Sequence, residues 1–143
     1  SWLNIAARIP LDLRIGTSPE TLPDMVLVRK IQEIGISSIK VTHSATEAVD
    51  GAEVLYTDVW ASMGEKDKIA ERELVLKDFQ INSSLLKYAE KNAIVMHCLP
   101  AERGKEITDE VIECAQSVVF DQAENRLHVQ KAILVQLEKW RTV

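Results

Sequence analysis

Asp58, Cys98 and Arg126 are the residues of this chain whose types could together act on a small substrate. Each stands at or just past the end of a short apolar, β-branched run: Asp58 in VLYTDV, Cys98 in AIVMHC, Arg126 beyond SVVFD. A carboxylate, a thiol and a guanidinium converging on one crevice would suit a substrate that carries both an amine and an anionic group. Around them stand Trp60 and Ser62–Met63–Gly64 after the first run, and His97, Leu99 and Pro100 at the end of the second. Each member also has a plainer reading. A lone Cys at a strand end is commonly a small buried hydrophobe, and an Asp there is often a turn former. Arg126 could be a solvated residue at a helix start, and Met63 a loop residue packed on the surface. Shared placement at strand ends is what favours function, because open α/β sheets bind ligands at the carboxyl ends of their strands.

That placement rests on the order of elements. The chain alternates strand-like runs (11–16, 38–43, 54–59, 93–98 and 117–121) with helical patterns (24–34, 45–49, 74–91, 109–114 and 127–140). Pro23 and Gly35 bracket the first of these helices, and Thr108 is the expected N-cap of the fourth. Strands separated by helices, and apolar on both faces, predict an α/β, three-layer Rossmann-like domain: a parallel β-sheet flanked by helices. The polar stretch 61–71 reads as a surface loop that moves to admit a ligand. Trp2 to Arg8 reads as a helix with no strand before it, which predicts a gap in the sheet. Together with a first residue that is Ser rather than Met, this leads us to expect that the chain is a piece of something longer.

Composition narrows the function class. The 143 residues carry a net charge of −5, with 46% apolar and 27% charged residues, the balance of one soluble globular domain spanning 1–143. Only 5% is aromatic, so the core must be aliphatic. No basic block offers a nucleic-acid footprint, and no apolar run approaches the ~20 residues of a membrane span. Two cysteines, Cys98 and Cys114, suggest a reducing, cytoplasmic setting rather than a disulfide scaffold. No His/Cys spacing suits a metal site, so no metal is expected. The glycines are too scattered for a dinucleotide fingerprint or a P-loop, so no cofactor is expected either.

The words themselves carry more. DVWASMG (58–64), HCLP (97–100) and AENR (123–126), in that order, resemble the signature segments of ornithine carbamoyltransferases, and Thr108 to Leu134 is similar to that family's C-terminal region. The resemblance covers nearly the whole chain, as the second, ornithine-binding domain of a family member. It implies transfer of a carbamoyl group from carbamoyl phosphate to the δ-amino group of L-ornithine, giving citrulline and phosphate in arginine metabolism. It implies roles residue by residue: Asp58 binds the amino-acid substrate, and Ser62 and Met63 help hold its α-amino and α-carboxyl groups. Cys98 lies beside the reacting δ-amino group, and the Asp58–Cys98 pair handles its proton. The Leu99 backbone carbonyl binds the carbamoyl NH2, Arg126 binds carbamoyl phosphate, and His97 supports that geometry. It also implies a parent enzyme that is a homotrimer or a multiple of trimers. Two departures stand out. Glu102 occupies a position where family members often carry a basic residue. The first domain's Ser-Thr-Arg-Thr and His-Pro-x-Gln motifs, which bind carbamoyl phosphate, are absent. A sister transcarbamoylase acting on putrescine or an acylated ornithine, and a non-catalytic α/β binding domain, are the competing expectations. The SMG segment favours free ornithine, and the missing phosphate motifs favour the non-catalytic domain.

Overall fold

A computed structural model describes residues 1–61 and 69–141. Helix α1 (Trp2–Ala6) leads into β1 (Asp12–Gly16), α2 (Met25–Ile34), β2 (Ser38–Thr42), α3 (Ala45–Val49) and β3 (Val54–Thr57). Then come α4 (Ile69–Leu76), α5 (Ser83–Leu86), β4 (Ile94–His97), α6 (Asp109–Ile112) and the long α7 (Val119–Arg141). The domain is α/β, with parallel strands flanked by helices, as the alternation predicts.

Local chemistry explains the boundaries. Asp24 caps α2, its carboxylate accepting the Val26 and Leu27 N–H groups at 2.9 and 3.1 Å. Gly35 ends the helix at a φ of +73°, a conformation that glycine adopts without strain. Gly16 closes β1 where α3 crosses, and a Cβ there would meet the Ala48 Cβ at 2.9 Å.

Several expectations are corrected. The single sheet of five strands is instead two parallel ladders, β1–β2 and β3–β4, with no strand among the described residues joining them. That division agrees with the expected gap. The fifth strand reduces to one bridge, Ser117 to Val95. Val118 donates to the Val95 carbonyl at 2.9 Å, and its own carbonyl already accepts the Gln122 N–H at 2.8 Å, so α7 begins eight residues before the helix start at 127 read from sequence. The helix-favouring run Gln122–Ala123–Glu124 follows only two β-branched valines, and helix wins.

The helix read over 74–91 breaks after Leu76. Lys77–Phe79 tighten into a 3-10 turn, and Ile81 pairs with Ile107. Asn82 then starts α5 by accepting the Ser84 and Leu85 N–H groups, a local bond that competes with a continuing helix. Of the loop read over 61–71, residues 62–68 lie outside the described residues, and Ile69 to Glu71 already belong to α4. Thr108 precedes α6, but its hydroxyl makes no cap bond.

Two aliphatic cores hold the layers. Leu55, Val95, Ile107, Val111, Ile112 and Val119 pack around β3–β4, while Ala6, Val28, Ile31 and Ile39 pack around β1–β2. Burying each Val, Leu or Ile contributes about 1.5–3 kcal/mol. In α7 only Val119 is buried; Leu127, Leu134 and Trp140 are 65%, 68% and 67% exposed. No helix among the described residues is long and apolar enough to cross a membrane.

Candidate active site

The β3–β4 register positions the site. Val54 lies opposite Ile94 and Thr57 opposite His97, a constant offset along a parallel ladder. Carried one residue past the strand ends, that register sets Asp58 beside Cys98. There the Asp58 carboxylate lies near enough to the Cys98 thiol to push its pKa up. Tyr56, on the same face of its strand as Asp58, lies near enough to Cys98 and Gln122 for both to act on its hydroxyl. Tyr56 and Gln122 are not among the site residues expected from sequence. Tyr56 could have been found from its i, i+2 spacing to Asp58; Gln122 could not, because it comes from α7.

Electrostatics follow from this triangle. Burial pushes the Cys98 thiol up, the Asp58 carboxylate adds to the rise, and the Tyr56 hydroxyl offsets part of it. Burial likewise pushes the Tyr56 hydroxyl up to about 12, and Cys98 adds to that rise. At neutral pH the sulfur is therefore a protonated thiol beside Asp58, not a ready nucleophile. Asp58 itself is exposed and also accepts the Val59 N–H at 2.7 Å. The site thus offers a carboxylate, flanked on one side by a neutral thiol, to an incoming cation.

A pH prediction follows. The rate of Cys98 alkylation by iodoacetamide, read from its peptide by mass spectrometry, should rise with a midpoint above the ordinary thiol value of ~8.5. Asp58→Asn should lower that midpoint, because it removes the charge that opposes a thiolate. Tyr56→Phe should raise it, because it removes a donor to the thiolate.

Behind the thiol, the HCLP turn is fixed from inside. Gln122 Oε1 accepts the His97 N–H at 3.0 Å, and Leu99 takes a φ of +52°. Glu102, unexplained by its sequence position, forms an ion pair with Lys105 at 2.8 Å, and Lys105 reaches Glu73 of α4 at 2.6 Å. Arg126 is not at a strand end. It stands inside α7, exposed, with no ion pair to another described residue. The structure therefore brings Asp58 and Cys98 together, with Leu99 next in chain, and records no contact of Arg126 with either. Ser62 and Met63 lie outside the described residues.

Residues 1–137 match the family model described as "Aspartate/ornithine carbamoyltransferase, Asp/Orn binding domain". The chain belongs to that family. It is 48% identical over 135 residues to the chloroplastic ornithine carbamoyltransferase of Pisum sativum, covering 94% of this chain and 36% of that protein. It is 50% identical over 139 residues to the ornithine carbamoyltransferase of Methanococcus vannielii, covering 94% and 46%. The solved ornithine carbamoyltransferase of Pyrococcus furiosus superposes with a TM-score of 0.83 at 42% identity, over 94% of this chain and 44% of that one. The chain thus spans less than half the length of these carbamoyltransferases. Within the family's Asp/Orn binding domain, Asp58 and Cys98 lie side by side at the carboxyl end of the β3–β4 ladder, where α/β sheets hold ligands.

Proposed function

We propose that residues 1–143 form the ornithine-binding half of an ornithine carbamoyltransferase, and that a carbamoyl-phosphate-binding domain supplies the other wall of the cleft. The observation that carries this reading is the β3–β4 register, which sets the Asp58 carboxylate beside the Cys98 thiol inside an Asp/Orn binding domain. An alkyl amine such as the δ-amino group of ornithine has a pKa of roughly 10 and arrives as a cation. Asp58 attracts that cation and favours loss of its proton to the carboxylate, directly or through water. The freed amine attacks the carbamoyl carbon, a C–N bond forms, the C–O bond to phosphate breaks, and phosphate leaves. Cys98 takes no covalent part. It stays protonated, and its donated hydrogen bond holds the Asp58 carboxylate in place.

The Leu99 carbonyl receives the carbamoyl NH2. Arg126, projecting from α7, meets the phosphate end, where charge builds as the bond breaks. Ser62 and Met63 hold the α-amino and α-carboxyl groups. The exposed apolar residues of α7 cover the neighbouring domain, and the complete enzyme is a homotrimer or a multiple of trimers. A working thiol suits a reducing, cytoplasmic compartment.

Citrulline-type product formation by the complete enzyme, with L-ornithine, N-acetyl-L-ornithine and putrescine as competing acceptors, tests the reading. Ornithine should lead the other two in kcat/KM by at least about a hundredfold, the size of one lost charge-assisted contact at each missing group. Preference for either of the other acceptors would overturn the assignment to free ornithine.

A further inference from the structure

The turn after β4 rests on a buried pair that the mechanism above leaves unused. His97 and Glu106 are both 0% exposed, and His97 Nε2 lies 3.2 Å from Glu106 Oε1. On the other side of the ring, the Leu99 N–H donates to His97 Nδ1 at 2.9 Å. A backbone N–H can only donate, so Nδ1 presents its lone pair. The ring proton then sits on Nε2 and is donated to Glu106.

Glu106 is itself held by the core. Its carbonyl accepts the Ile81 N–H at 2.9 Å, and the adjoining Ile107 is fully buried. The same Oε1 also accepts the Glu102 N–H, which ties down the far side of the turn. At the other end of this chain of bonds, Leu99 occupies the left-handed region, which a Leu side chain disfavours and which persists only where its surroundings enforce it.

We propose that Glu106 is a positioning residue for carbamoyl transfer: by fixing the His97 tautomer it secures the Leu99 N–H and so aims the Leu99 carbonyl at the transferred group. The proposal rests on the role given to Leu99 above. Glu106 touches neither substrate and acts only through the ring. Its Oε2 has no partner among the described groups, so the single oxygen Oε1 carries the function. A glutamine, whose amide oxygen accepts in the same place, should therefore replace it, and a leucine should not.

The test uses the complete enzyme, with Glu106→Gln and Glu106→Leu. Long-range proton–nitrogen NMR reads the His97 ring, and steady-state assays separate kcat from the ornithine KM. In the wild type Nε2 should be protonated and Nδ1 bare. Glu106→Gln should keep that tautomer and most of the kcat. Glu106→Leu should lose the tautomer preference and about ten- to a hundredfold in kcat, the usual scale for losing a partner that orients a site ligand. Its ornithine KM should stay within a few-fold, because Asp58 is untouched.

A protonated Nδ1 in the wild type would overturn the proposal, and so would an unchanged kcat in a folded Glu106→Leu enzyme. The wild-type ring measurement needs no variant, so it decides the matter if the leucine variant does not fold. A complete enzyme without any transfer activity would remove the functional reading and this proposal with it. A fully active enzyme whose kcat ignores Glu106 would remove the proposal alone.

Discussion

Residues 1–143 alone should give no citrulline from L-ornithine and carbamoyl phosphate, and joining them to a carbamoyl-phosphate-binding domain should restore turnover. A two-substrate transfer gains its rate mainly from holding both reactants in register, worth about 7–11 kcal/mol when geometry is ideal. On the proposed reading this chain supplies the Asp58–Cys98 side of that arrangement, and its sequence carries none of the family's phosphate motifs. Its matches cover 36–47% of curated relatives that carry the activity in their names. The long helix α7 points the same way, since Leu127, Leu134 and Trp140 remain about two-thirds exposed. Sedimentation of the isolated domain should accordingly show concentration-dependent self-association, relieved by Leu134→Glu. Robust citrulline formation by a preparation whose mass matches 1–143 alone would contradict the account.

Asp58→Asn in the complete enzyme should lower kcat/KM for ornithine by about 30- to 150-fold, the equivalent of about 2–3 kcal/mol for a hydrogen bond to a charged group. The asparagine keeps the shape but cannot attract the ammonium or accept its proton. Asp58 is exposed and outside both cores, so the thermal midpoint should hardly move. Cys98→Ser should slow transfer less, because a hydroxyl still donates to Asp58. Unchanged ornithine kinetics in Asp58→Asn would remove the carboxylate from the site.

Much of this was legible in the sequence where one signal acts alone. β-Branched runs marked four strands to within two residues at either end, and Asp24 and Gly35 marked the limits of α2, because the capping chemistry is local. Asp58 and Cys98 were legible as a pair because both follow strands and a parallel register adds nothing that must be guessed. What failed involved competition between signals. Val118–Val119 read as strand until the helix formers after them prevailed, which moved Arg126 from a strand end into α7. The pattern over 74–91 read as one helix, yet the Asn82 side chain, by accepting the Ser84 and Leu85 N–H groups, helped divide it.

Glu106 was the hardest to see. In sequence it is one charge in a polar run, ERGKE, and only the packing of Ile81 and Ile107 reveals that it is buried against His97. The oddity of Glu102 is likewise resolved by a partner three residues on, Lys105, rather than by any feature of its own.

The most direct test of the central claim is the crystal structure of the complete enzyme with L-ornithine and inorganic phosphate bound. The account predicts the δ-nitrogen beside Cys98 Sγ, within hydrogen-bond reach of the Asp58–Cys98 pair, about 3–3.5 Å. Ornithine bound away from the carboxyl end of the β3–β4 ladder, or with its carboxylate rather than an amine facing Asp58, would contradict it.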